Sequence, residues 1–378
     1  MRTLGNLRGG SRYRQAQPRN YGFQRGFQRS SQWGSRWNSG SHAPIIALKS
    51  HCVGKQAFDR KIQELDALRS APSSPATADQ LRKALKDRSN FLVSKAAALA
   101  GEFGLPALIP DLAAAFDRFL TDSVKSDPQC WAKNAIAKAL KDLGFDEPEL
   151  FLRGLRHVQL EPVWGGREDT AATLRGACAF ALVNCPRPRL EILEHLSDRL
   201  AMDPGKTVRT DVARAIAQLS GPDSVLLLRF KALSGDRDPE VTGQCLLSLI
   251  GMAPRDYVPF AADFLDAADP DVRLEAVAAL GECHEPQAFE ILKERWRTHT
   301  DPEVKRAILL SLGASRQPSA AEFLCSVVQD ARFDDAATAI RALASGRFRE
   351  EYRERIAVLL AERNEARLEP VFDKEFAR

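Results

Sequence analysis

Asp269-Pro270-Asp271-Val272-Arg273-Leu274-Glu275-Ala276-Val277-Ala278-Ala279-Leu280-Gly281 reads as a short helix with both ends marked. Asp269 suits the N-cap, where its carboxylate accepts from free backbone N–H groups. Pro270 suits the first helical position, where a missing N–H costs nothing. Asp271 then sits at the positive end of the helix dipole. Val272, Ala276, Val277 and Leu280 share one face at helical spacing, and Gly281 is the expected stop. A helix of about three turns is marginal alone in water, so it has to be buried against neighbours.

The rest of the chain supplies them. The phrase returns at Asp301-Pro302-Glu303-Val304-Lys305, ending Leu312-Gly313, and at Asp238-Pro239-Glu240-Val241, ending Ile250-Gly251. Looser copies begin at Asp203-Pro204 and at Asp127-Pro128, the latter ending Leu143-Gly144. Aligned on the Val position, the copies fall at residues 93, 132, 174, 208, 241, 272, 304 and 335, at spacings of 39, 42, 34, 33, 31, 32 and 31. A near-fixed period in this range signals a solenoid. Second helical patterns lie between the copies, at Leu190 to Leu200, Tyr257 to Leu265, Pro286 to Lys293 and Pro318 to Val328. Each unit is therefore two antiparallel helices.

The Asp-Pro-x-Val-Arg phrase resembles the HEAT family, in the short bacterial form related to phycobilisome-lyase repeats. The resemblance covers roughly residues 77 to 345. It implies an all-α fold: a right-handed α-solenoid (an armadillo- or HEAT-like superhelix) of about eight two-helix repeats. Residues 1–50 are expected as a disordered tail, 51–76 as a capping helix and linker, 77–345 as the array and 346–378 as C-terminal capping helices. In the first cap, Phe58, Ile62, Leu65 and Leu68 share one face; at the far end Lys374 to Arg378 are expected to fray. The fold by itself says almost nothing about chemistry.

Composition agrees with such an array. Hydrophobic residues make up 44% of the 378, much of this alanine, which suits close helix packing. No apolar run approaches the length of a membrane-spanning helix, and the first segment lacks the apolar core of a secretory signal. Seven cysteines without CxxC spacing argue against a disulfide framework or a zinc site. Cys178, Cys245 and Cys325 lie in apolar helical stretches, where cysteine behaves as a small hydrophobe. A reducing cytoplasm is the expected compartment, with no cofactor and no metal.

Residues 1–43 carry eight Arg, no Lys and no acidic residue, with Tyr13, Tyr21, Phe23, Phe27, Trp33 and Trp37 interleaved. Such a stretch cannot offset the entropy of its own ordering. Its arginines suit phosphate and its rings suit bases, so nucleic-acid binding is one reading. Others are a passive tail, or a stretch upstream of the true start. The whole chain carries +4 and the tail +8, which leaves −4 for residues 44–378. The array itself therefore offers no overall attraction to nucleic acid.

The two longest spacings bracket the least repeat-like region, 127–185. It holds Trp131 at the front of one helix, Arg156 and His157 at the end of the next, and Arg175 opening another. Between them Glu161-Pro162-Val163-Trp164-Gly165-Gly166-Arg167-Glu168-Asp169 is too polar and glycine-rich for helix. Loops on a rigid array tend to carry recognition, and Trp and Arg are common hot-spot residues. Trp131, Arg156, His157, Trp164, Arg167 and Arg175 are the expected binding patch, for a protein partner on a concave surface. The bland alternative has Trp131 filling the core and the insertion covering an edge. The base after each Val, as at Arg209, Arg273 and Lys305, suggests a phosphate ladder, but pairing with the turn residues Asp203, Asp269 and Asp301 explains it more simply.

Three enzyme types share this architecture. HEAT-like metal-dependent hydroxylases carry several His-Glu pairs, and only His284-Glu285 is present here. HEAT-like DNA glycosylases use tryptophans and an acid, for which Trp131, Trp164 and Asp169 match no transferable spacing. Bilin lyases are suggested by the repeat type alone. The expectation is a non-catalytic interaction scaffold.

Overall fold

The computed structural model describes residues 46–377 apart from Ser73, with side chains from Gln56 onward. The chain divides into two units, Met1–Lys55 and Gln56–Arg378. The Arg-rich tail, its expected disorder and its nucleic-acid reading lie outside the described residues. Helical backbone begins at Ile46, slightly inside the stretch assigned to the tail.

Twenty α-helices and one hairpin follow among the described residues. In chain order they are α1 (Ile46–Ala67), α2 (Pro75–Leu85), α3 (Asn90–Glu102), α4 (Ile109–Leu120), α5 (Ser123–Ser126), α6 (Trp131–Asp142) and α7 (Pro148–Arg156). Next come β1 (Leu160–Val163), β2 (Gly166–Asp169), α8 (Ala172–Leu182), α9 (Arg189–Met202), α10 (Lys206–Leu219), α11 (Gly221–Ser234), α12 (Pro239–Met252) and α13 (Pro254–Asp263). The series closes with α14 (Pro270–Gly281), α15 (Pro286–Thr298), α16 (Pro302–Ala314), α17 (Pro318–Asp330), α18 (Phe333–Ser345), α19 (Arg349–Arg363) and α20 (Glu369–Phe376). None of these helices is long and apolar enough to cross a membrane.

The eight Val-aligned positions fall in α3, α6, α8, α10, α12, α14, α16 and α18, and these helices form one continuous row. Each packs on the next along its length, α3 on α6, α6 on α8, and so to α18 on α20. The intervening helices form a second row, each lying against its anchor partner, as α7 on α8, α9 on α10 and α11 on α12. Successive members of the second row touch far less. The two rows together make an α-solenoid. Small buried residues permit their approach: Ala96, Ala97 and Ala100 of α3 meet Ala132, Ala137 and Ala139 of α6 in the same core.

The end signals operate as the sequence predicts at Asp269 and Asp301, whereas Asp238 makes no side-chain cap bond and accepts instead from Arg209 Nη2 at 2.6 Å. Asp269 accepts from Asp271 N at 2.9 Å, and Asp301 from Glu303 N at 2.9 Å. Gly144 follows α6 with φ +75°, the left-handed stop that favours glycine. Gly281 also ends its helix, yet for another reason. A Cβ placed there would come within 1.6 Å of Ser311 Oγ and 2.9 Å of its Cβ, so glycine is needed for the approach of α16. At the C-terminus the expected fraying stops short: α20 runs to Phe376, which is buried and stacks on Phe372 at 4.8 Å.

The bases after the anchor positions form a spine between repeats. Arg175 reaches forward to Asp203 (2.8 and 3.0 Å), Arg209 to Asp236 and Asp238 (2.6–3.0 Å), Arg273 to Asp301 (3.1 Å) and Lys305 to Asp335 (3.8 Å). Lys133, fully buried, turns back to Asp127 at 3.0 Å. All but Lys305, whose partner Asp335 lies in the first turn of α18, pair with an acid between helices, and Arg175 and Arg209 are withdrawn from solvent. Phosphate would have to displace these partners. Thr242 interrupts the spine, and its buried hydroxyl has no hydrogen-bond partner.

Candidate functional site

The region around residues 127–175 is built on a broken helix start. Gln129 and Cys130 are both left-handed (φ 61° and 53°), an uncommon state for residues with a Cβ. Two buried carboxylates hold them there. Asp127 accepts from Ala132 N (2.9 Å), Lys133 N (3.0 Å) and Asn90 Nδ2 (3.0 Å), and so caps α6 across the kink. Glu161, from β1, accepts from Gln129 N (2.7 Å), Gln159 Nε2 (2.7 Å) and Thr170 Oγ1 (2.6 Å). Burial alone would raise the Glu161 pKa, but these donors outweigh it and hold it below its ordinary value. Burial pushes the neighbouring Cys130 thiol up to about 11, so it stays protonated and inert at neutral pH.

The segment expected as a non-helical insertion is an antiparallel hairpin, with Val163 opposite Gly166 and Leu160 opposite Asp169. Trp164-Gly165 make its two-residue turn, and Gly165 has φ +88°. The base is fixed by Glu161 and by Asp169, which accepts from Gln159 N and Ala171 N, both at 3.1 Å. The tip is free. Trp164 is fully exposed, and Val158, Leu160 and Val163 are each more than 40% exposed.

The six expected patch residues separate into groups. Trp131 is 50% exposed, its ring edge-on to Phe91 at 5.8 Å, so it does not fill the core. Trp164, Arg156 and Arg167 are exposed. His157 is half-buried, which lowers its pKa against the pull of its Gln159 contact. Arg175 is absent from this surface. It is 1% exposed and bound to Asp203, with Nη1 at 2.7 Å from Asp169 Oδ2 and donating to His157 O at 3.0 Å. It joins the hairpin base to the next repeat.

Beside Trp131 lies a groove of about 630 Å³, crossing three successive anchor helices. α3 contributes Ser94, Lys95 and Ala98. From α6 come Trp131, Asn134, Ala135, Lys138 and Lys141, and from α8 Thr173, Ala177 and Phe180. The floor is apolar, lysines stand at the rim, and no carboxylate lines it. Lys95 is held by Asp66 (2.6 Å) and Lys141 lies 3.6 Å from Asp142, whereas Lys138 makes no ion pair among the described residues. Asn134 Oδ1 is buried without a hydrogen-bond partner.

Of these, sequence reasoning found only Trp131. Six of the others, Lys95, Asn134, Ala135, Lys138, Ala177 and Phe180, sit two, three or six places after an anchor position, a register the repeat alignment already contained. Further along, Glu240, Glu275 and Glu282 line a second, smaller hollow across α10, α12 and α14 together with Arg214, and Lys206 pairs with Glu240. Among the described residues no group of three or more His, Cys, Asp or Glu is placed to hold a metal ion.

Residues 226–299 and 258–344 match the HEAT-repeat family. No curated protein matches the sequence. Among solved structures the chain is similar to the complex of CpcE and CpcF of phycocyanin lyase from Nostoc sp. PCC7120, at 18% identity over 63% of this chain and 91% of that one, TM-score 0.31. It is similar to human deoxyhypusine hydroxylase in complex with glycerol, at 17% identity over 68% and 97%, TM-score 0.26. A third likeness is to the Escherichia coli protein YibA, at 14% identity over 72% and 96%, TM-score 0.37. At these identities the likeness is one of fold.

Proposed function

Since the chain carries HEAT repeats, we propose that it is a non-catalytic scaffold that docks a protein partner on its concave face, over α3, α6 and α8. The observation that carries this reading is Trp131, half-exposed at the end of an apolar groove where a packed core would have covered it. Large, partly apolar side chains in such pockets supply most of the energy of an interface. The hairpin supports the reading. Its base is tied to Gln129, two residues before Trp131, and its tip carries the exposed Trp164 beside Arg167. A buried base and a free tip are what a contact arm requires.

The test is quantitative capture of cross-linked partner by the full chain. Three variants are compared with wild type: Trp131→Ala, Trp164→Ala with Arg167→Glu, and Phe230→Ala, an exposed residue on the other row, as control. The first two are expected to lose at least about tenfold in recovered partner, with unchanged circular dichroism. Equal recovery by wild type and both groove-side variants would remove this surface from the function.

A further inference from the structure

We propose that the groove takes an extended acidic peptide segment with one apolar anchor. This rests on the docking reading above and specifies its partner.

Charge selects the sign. Lysines rim the groove on α3 and α6, no carboxylate lines it, and Lys138 has no partner of its own among the described residues. The next hollow along the row carries three carboxylates, Glu240, Glu275 and Glu282, beside Arg214, with Lys206 paired to Glu240. An acidic segment is therefore drawn to the first repeats, where the lining lysines meet no lining carboxylate.

Backbone satisfaction selects the conformation. The orphan Asn134 Oδ1 needs a donor. A helix laid along the groove has its main-chain N–H groups already bonded internally, whereas an extended chain brings them free. Ala98, Ala135 and Ala177, one from each helix, leave room for a backbone to come close. An extended chain rises about 3.3 Å per residue and neighbouring helices lie about 9 Å apart. Roughly six residues therefore span α3 to α8. Trp131 and Phe180 offer the apolar contact for a single anchor side chain.

The experiment is selection of a random linear peptide library against the full chain, with Trp131→Ala protein as the counter-selection. Peptides retained by wild type and lost by Trp131→Ala are expected to carry Asp or Glu on both sides of one aliphatic or aromatic residue. Their affinity should fall with salt and drop about tenfold or more in Lys138→Glu/Lys141→Glu. Asn134→Ala should weaken them about fivefold or more, with thermal melts unchanged. Selected peptides that are uncharged or rich in Lys and Arg overturn the acidic assignment and leave the docking reading standing. Binding unaffected by Asn134→Ala overturns the extended conformation. A selection that yields nothing sensitive either to Trp131→Ala or to the double lysine reversal removes the docking reading itself.

Discussion

At the scale of single residues, the chain spends its buried charges on holding repeats in register. Arg209 and Asp236 are 2% and 4% exposed and sit 2.7 Å apart. Burial alone would raise the Asp236 pKa, but hydrogen bonds from Arg209 and Lys231 outweigh it and bring it from 3.8 down to about 2. A carboxyl that is easier to ionise when folded than when unfolded stabilises the fold above its unfolded pKa. That contribution, about 2 kcal/mol, is therefore complete above about pH 4 and is lost as pH falls through about 2. Arg209→Ala leaves a buried carboxylate with only the Lys231 ammonium, at 2.8 Å, and the Asp238 N–H, at 2.9 Å, to answer it. Urea unfolding at pH 7 should show a loss of about 3–5 kcal/mol, and the gap between wild type and variant should narrow as the pH is lowered. A loss below about 1 kcal/mol would mean that the spine behaves like surface ion pairs. The sequence pointed to this pairing through the regular offset of base and turn acid. The direction of pairing, forward into the next repeat, was illegible, because it depends on how far consecutive units are rotated.

At the scale of elements, the repeated phrase fixed helix starts well and helix ends only in outline. Proline at the first position and aspartate before it act through a few neighbouring backbone groups, so sequence suffices to read them. A closing glycine has two possible uses, and only the neighbouring helix decides between them. Gly251 and Gly281 close the same phrase in α12 and α14. A Cβ at Gly251 meets nothing within 4 Å, while at Gly281 it collides with Ser311. Neither has a positive φ, so helix propensity and packing alone set the outcome. Gly251→Ala should stabilise the chain by about 0.5–1 kcal/mol, and Gly281→Ala should destabilise it by about 1–3 kcal/mol. Chemical denaturation of the two variants side by side checks the opposite signs. The hairpin was legible as an interruption but not as two strands, because its pairing is set by Glu161, Gln129 and Thr170, which are up to about forty residues apart. Arg175 was assigned to the patch because an arginine at a helix start looks the same in sequence whether it faces solvent or Asp203.

At the scale of the whole array, each repeat touches only its neighbours, so stability is a sum of local and nearest-neighbour contributions. The regular period made this legible; the groove was not, because it is made of alanines and lysines that are unremarkable singly and meaningful only when three helices are laid side by side. The same one-dimensional logic makes the C-terminal end a testable cap. α19, α20 and the segment joining them bury Tyr352, Ile356, Leu360, Leu368 and Phe376, and Tyr352 donates to Glu322 of α17 at 2.8 Å. Removing residues 349–378 uncovers apolar surface on α17 and α18 without touching α3, α6 or α8. Hydrogen exchange followed by mass spectrometry should therefore speed up in α17 and α18, fade within one or two repeats, and leave the groove helices as protected as before. If protection instead fell evenly from α18 back to α3, the array would be unfolding as one cooperative block. A partner bound at the groove could then stiffen the far end as well, and contacts at one end would set the stability of the other.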